Sequence, residues 1–228
     1  MTPAAVLDLD GTLHPGTLGA SVLRELVAAG HARSHAAGRA LAAIADRAHT
    51  PAATTVDQVY ASYTQAVAGM PHRQLREASR RAWDAQRGAL FPYVPTLLRT
   101  LSTRGYTVVL LSGSPQEALD RVGGDLHVHH CYGAQIAVRD GRCQGYLTRA
   151  PGRQGEKLRI LNHLAERLQL DLTQSLALGN SASDLSLLQA VGNPVAFEPD
   201  AALAAHARGA GWGRVTRDTA LHTLASLP

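Results

Sequence analysis

The distribution of apolar and polar positions divides the chain into two textures. Residues 4–9 of "AAVLDLDGTL" form a short apolar run, which predicts a buried strand emptying into an acidic, glycine-containing loop. Over residues 16–88 the period changes. "ASVLRELVAAG", "RSHAAGRALAAIADRA", "TTVDQVYASYTQAVAG" and "HRQLREASRRAWDAQRG" are Ala-rich and helical in spacing, separated by Gly, Pro or Thr-Pro breaks. A run of helices without strands predicts a helical insertion, with residues 1–15 and 89–228 forming the main α/β domain and 16–88 a second, smaller one.

From Phe91 strands and helices alternate. "VPTLLRTLSTRG" predicts a helix stopped at Gly105, "YTVVLLSGS" a strand, and "PQEALDRVGG" a helix opening at Pro115. "AQIAVRDGRCQGYL" reads as a hairpin turning at Asp140 and Gly141, and "GEKLRILNHLAERLQL" as an amphipathic helix. "SLALGN", "ASDLSLLQAVG", "PVAFEPD", "AALAAHARGAG" and "GWGRVT" continue as strand, helix, strand, helix and edge strand. This alternation predicts a Rossmann-like α/β fold, with a mainly parallel sheet covered on both faces. Three strands end in polar loops: Asp8-Leu9-Asp10-Gly11-Thr12, Ser112-Gly113-Ser114, and the "GNSASD" stretch from Gly179 to Asp184. Strand ends of a parallel sheet share one edge, so these loops converge on one crevice.

Composition narrows the chemistry. No run of apolar residues is long enough for a membrane span, and the N-terminal stretch lacks the basic region of a signal peptide. Two cysteines, Cys131 and Cys143, suit a reduced cytoplasmic protein better than a disulfide framework. The formal net charge is +4, but the basic residues are scattered and aromatics make up 4%, so a nucleic-acid surface is not expected. A mild positive field favours a small anionic substrate. "HVHHCY" lacks a second ligand pair at zinc spacing. Lysine occurs once, at Lys157, among 22 basic residues; the sole compact ammonium in an arginine-rich chain is a candidate for a specific task.

Two carboxylates at i and i+2, with a third at Asp184, suggest a site for a hard divalent cation such as Mg²⁺, which takes oxygen ligands. Ser112 and the backbone N–H groups beside Gly113 suit phosphate oxygens, with Lys157 as a point charge on the same anion.

The ordered set resembles the haloacid dehalogenase (HAD) superfamily of phosphohydrolases. Asp8-Leu9-Asp10-Gly11-Thr12 matches its D-x-D-G-T motif, Ser112 after "VVLL" its second motif, Lys157 its third, and "GNSASD" its fourth, usually G-D-x-x-x-D. The position of the helical insertion resembles a C1-type cap of the phosphoserine phosphatase-like branch. The resemblance implies a nucleophile in Asp8, a general acid/base in Asp10, and a partner for Asp10 in Thr12. It also implies phosphoryl contacts from Ser112, Gly113 and Lys157, and Mg²⁺ ligands in Asp8, Asp10 (through its C=O), Asn180 and Asp184, the last holding metal-bound water or Lys157. Asn180 departs from the family pattern by replacing a charged ligand with an amide. His14 is placed at the mouth of the site, as a substrate contact.

The implied activity is Mg²⁺-dependent hydrolysis of a small phosphorylated metabolite by a cytoplasmic monomer or homodimer. The alternatives are a phosphomutase of the same fold and a non-catalytic phosphate-binding module. Phosphoserine is disfavoured as the selective substrate, because Thr17 stands where relatives carry a Glu for the substrate ammonium and Glu25 lies well inside the next helix. The arginines of the insertion suggest a second anionic group or hydroxyls on the substrate.

Overall fold

A computed structural model describes residues 1–49 and 55–225. After β1 (Thr2–Leu7) come four helices, α1 (Leu18–Ala28), α2 (Ser34–His49), α3 (Val56–Val67) and α4 (His72–Gln86). The alternating part follows: α5 (Val94–Thr103), β2 (Thr107–Pro115), α6 (Gln116–Leu126), β3 (His130–Arg139), β4 (Arg142–Arg149) and α7 (Glu156–Leu168). It ends with β5 (Leu170–Gly179), α8 (Leu185–Leu188), β6 (Asn193–Phe197), α9 (Ala201–Ala210), β7 (Gly213–Val215) and α10 (Ala220–Ala225). The seven strands make one sheet in the order β4-β3-β2-β1-β5-β6-β7. Only β4 runs antiparallel to its neighbour.

β1 lies mid-sheet between β2 and β5, where the direction of strand addition reverses. A crevice opens at the carboxyl end of such a switch point. Strand alternation sends Ala5 and Leu7 to one face and Ala4 and Val6 to the other. The first face packs with Leu23 and Leu26 of α1, Leu75 and Trp83 of α4, Leu97 of α5 and Leu119 of α6. The second packs with Ile160, Leu161 and Leu164 of α7, Leu187 of α8 and Leu203 of α9. Each buried Leu or Val contributes roughly 1.5–3 kcal/mol, so both faces anchor the strand ends that carry the polar loops.

Several boundaries differ from the sequence expectation, each for a local reason. β1 starts at Thr2, which pairs with Leu170, and stops at Leu7. Beyond it the Leu9 C=O accepts the N–H groups of Thr12, Leu13 and His14, and that turn ends the strand before Leu9. The long amphipathic helix stops at Leu168 because Gln169 adopts φ 51°, and β5 begins at once. The strand expected at residues 175–180 is thus the second half of β5, beyond a register shift against β1. Pro115 closes β2, and α6 starts at Gln116. β3 starts at His130, pairs in parallel with β2, and then becomes the first arm of the expected hairpin. The helix expected over residues 182–192 is a 3-10 turn (Ala182–Asp184) and the single turn of α8. α10 is an element the pattern did not predict. Among the described residues no helix is long and apolar enough to cross a membrane.

Candidate active site

Directly after β1 the Asp8 N–H donates to the Leu178 C=O at 3.0 Å, which carries the chain one residue past the strand before it turns. Gly11 makes the turn feasible. Its φ is +81°, and a Cβ there would stand 2.1 Å from Asn180 Nδ2. Only glycine allows both that conformation and that approach, so the first polar loop packs directly on the third. The third loop is equally tight: a Cβ on Gly179 would meet the Asp184 Cβ at 2.6 Å.

The centre is a buried charge cluster. Lys157 Nζ lies 2.6 Å from Asp8 Oδ1 and 2.6 Å from Asp184 Oδ1, with the lysine 3% exposed, Asp8 5% and Asp184 0%. Asp184 Oδ2 accepts the N–H groups of Asn180 and Ser181, both at 3.1 Å, and the Ser181 hydroxyl at 3.2 Å. Asp184 therefore orders its own loop while it holds the lysine. Thr12 Oγ1 donates to Asp8 Oδ2 at 3.0 Å. The threonine expected beside Asp10 instead steadies Asp8, because the turn at Leu9 folds it back.

Lys157 pairs with Asp8 and Asp184, and Asp10 adds its field at Asp8, so carboxylates outnumber the one ammonium around the site. Burial pushes the Asp8 carboxyl up to about 7; Lys157 opposes this, while Asp184 and Asp10 reinforce it. For Lys157, burial favours losing the proton, but the fields of Asp184 and Asp8 outweigh it and hold the ammonium above its ordinary range. Both directions follow from surplus negative charge in a desolvated pocket. Asp8, Asp10 and Asn180 all line the cavity and carry hard oxygen donors in a carboxylate, a backbone C=O and an amide oxygen, and the Asp10 C=O accepts no hydrogen bond among the described residues. That donor set and that surplus charge fit a divalent hard cation.

Asp10 has its own shell. Oδ1 accepts the Leu18 N–H at 2.8 Å, and Oδ2 accepts the hydroxyls of Ser112 at 2.8 Å and Ser114 at 2.6 Å. Ser114 Oγ also accepts the Gly19 N–H at 2.9 Å, tying the carboxylate to the first turn of α1. Ser114 was not singled out in the sequence, although it lies two residues after Ser112 on one strand and so shares its face.

A cavity of about 500 Å³ opens over this cluster, lined by Asp8, Asp10, Gly113, Ser114, Lys157 and Asn180 among others. Thr12, Ser112 and Asp184 are buried behind the wall. His14 does not line it: the ring is 1% exposed, and Nδ1 lies 3.1 Å from the Gly16 N and 3.2 Å from the Gly16 O within its own turn. The roof comes from α2 and α3. Tyr60 Oη accepts the Gly152 N–H at 2.8 Å and donates to the Gly113 C=O at 3.3 Å, clamping α3 onto the end of β2 and the loop before α7. Burial pushes its phenol up to about 12, so it serves as a neutral hydrogen-bonding group. No motif pointed to Tyr60. Among the described residues no arginine lines the cavity, contrary to the expectation for the insertion; Arg80 and Arg81 are held by Glu77, Asp84 and Glu25.

Parallel strands that bring an acid–lysine cluster to one cavity define a doubly wound α/β fold with a carboxylate-lined candidate site. The chain belongs to the haloacid dehalogenase-like hydrolase family, whose sequence model matches residues 5–189. It is 34% identical over 108 residues to a phosphoserine phosphatase of Streptomyces coelicolor, covering 47% of this chain and 26% of that protein. The matched stretches span less than half the length of the first such relatives. Among solved structures, a Bordetella pertussis protein of unknown function superposes with a TM-score of 0.79 at 22% identity, over 95% of this chain and all of that one. A phospho-aspartyl intermediate analogue of phosphoserine phosphatase superposes at 0.67 and 19%, over 90% of this chain and 91% of that one. At such identities the structures share the fold.

Proposed function

We propose that this chain is an Mg²⁺-dependent phosphatase that hydrolyses a small phosphate monoester through an aspartyl-phosphate on Asp8. The observation that carries this reading is the Asp8 carboxylate, pinned between Lys157 and Thr12 at the floor of the cavity, with a second carboxylate two residues on. Residues 16–88 act in it as a cap over a catalytic domain formed by residues 1–15 and 89–228.

An Asp8 oxygen attacks phosphorus in line as the P–O bond to the alcohol breaks, and Asp10 gives its proton to the departing oxygen. Water then attacks the acyl-phosphate, Asp10 takes its proton, and inorganic phosphate leaves with Asp8 restored. The Ser112 and Ser114 hydroxyls can donate to an ionised Asp10 or accept from a protonated one by rotating. Lys157 offsets charge as the phosphoryl group approaches Asp8. Asp8, the Asp10 C=O and Asn180 would hold Mg²⁺, which supplies neutralising charge for the phosphoryl oxygens when bound. The Asp184 carboxylate would act through Lys157.

Selectivity for phosphoserine is not part of this reading, although curated relatives carry that name. Thr17 lines the cavity at the mouth of α1, and Glu25 is engaged by Arg81 at 3.1 Å. Turnover of p-nitrophenyl phosphate with Mg²⁺, its loss with chelator, and its loss in a folded Asp8→Asn variant test the proposal. A folded wild-type protein that cleaves no phosphate monoester would overturn it.

A further inference from the structure

The wall of the cavity formed by α2 and α3 has a different character from its acidic floor. On α3, Val56, Val59, Tyr60 and Tyr63 recur at i, i+3, i+4 and i+7, so they share one helical face, and all four line the cavity with Ile44 of α2. Val56, Val59 and Ile44 are only partly buried within the protein. Their remaining exposed surface belongs to groups that line this chamber.

Among the described residues that line the cavity, the charged groups are already committed. Lys157, the only basic residue lining the cavity among those described, is held by two carboxylates at its floor. Glu198 is ion-paired with Arg217 at 2.6 Å, and Asp200 accepts the N–H groups of Ala182 and Leu203. A leaving group carrying an ammonium or a carboxylate would lose its hydration here without gaining a partner, a net penalty. An apolar group would remove valine and isoleucine surface from water, a net gain.

We propose that the alcohol half of the substrate is uncharged and largely apolar, and that Val56, Val59 and Ile44 select it. The inference rests on the phosphatase reading above and assigns its substrate class: a monoester of an aliphatic or aryl-alkyl alcohol, with its phosphoryl end at Asp8 and its carbon end under α3.

The test compares kcat/KM for 2-phenylethyl phosphate, glycerol 1-phosphate and O-phosphoserine, all esters of alkyl alcohols, with p-nitrophenyl phosphate as the general reporter. The expected order is 2-phenylethyl phosphate first and phosphoserine last, separated by about 10-fold or more, the scale on which apolar pockets discriminate. Val59→Asp should lower kcat/KM for 2-phenylethyl phosphate by a similar factor, mainly through KM. Val59→Thr, close to isosteric, should lower it in the same direction if the aspartate variant fails to fold. Phosphoserine or glycerol 1-phosphate cleaved best would overturn the inference and leave the phosphatase reading standing. So would Val59 variants with unchanged kinetics on 2-phenylethyl phosphate. No turnover of any of the four esters by folded protein would remove the phosphatase reading, and this inference with it.

Discussion

The Lys157 ammonium meets the Asp8 carboxylate at 2.6 Å, with both side chains almost fully withdrawn from solvent. The contact is shared, since the same nitrogen also holds Asp184. Removing the lysine leaves two buried carboxylates with no counter-charge.

Lys157→Met should therefore lower stability by ~3–5 kcal/mol and turnover by roughly 10²-fold or more. Urea unfolding and steady-state kinetics read the two losses separately. Lys157→Arg should not rescue activity, because a planar fork does not fit a slot in which one nitrogen serves two carboxylates. Near-normal kinetics in Lys157→Met would make the lysine incidental.

At the loop contact, Gly11→Ala forces a left-handed residue and a clash with Asn180. The conformation alone costs about 1–2 kcal/mol. Displacing Asn180 should also raise the Mg²⁺ concentration needed for half-maximal activity. Asn180→Asp should lower that requirement while reducing metal-free stability, since it adds a carboxylate to an already anionic cluster. A Mg²⁺ titration followed by activity and by melting temperature checks both; an unchanged requirement in Asn180→Asp would count against Asn180 as a ligand.

Ser114→Ala removes one of three donors to Asp10 and leaves the Gly19 N–H without its acceptor. Kcat and kcat/KM should fall together by about 10-fold or more, as expected for a lost hydrogen bond to a charged group worth roughly 1.5–3 kcal/mol. A rise in KM alone, with kcat unchanged, would show that Ser114 does not act through Asp10.

Burial pushes the Cys131 thiol up to about 12, with Asp120 adding to the effect, and the Cys143 thiol up to about 11, with Glu117 adding. A raised thiol value means less thiolate at a given pH, so at pH 8 both remain protonated. Alkylation by iodoacetamide should run about 100-fold or more below the rate of a free thiol. Mass spectrometry of timed, native labelling measures this; fast labelling at either cysteine would show that its burial is transient.

The acids of the first loop were legible because two carboxylates directly after an apolar run have few structural uses. Lys157 stood out because an arginine-rich chain kept one lysine. The pairing of Thr12 with Asp8 depends on a turn closed by three N–H groups on one carbonyl, which side-chain spacing does not reveal. Tyr60 was hidden for a different reason. In an Ala-rich insertion, periodicity marks an apolar face without saying whether it meets the sheet, another helix or a cavity. Boundaries moved at Gln169, at the turn closed on the Leu9 C=O and at the register shift of β5 against β1, where backbone conformation and strand pairing outweigh local pattern.

The seclusion of Lys157 also gives the molecule a built-in reporter. The folded chain offers amine-directed reagents almost no free ε-amine, because its single lysine is 3% exposed at the floor of the cavity and held there by two carboxylates. Acylation at residue 157 would register only those moments when the centre itself comes apart, so one mass peak would count the openings of the active site.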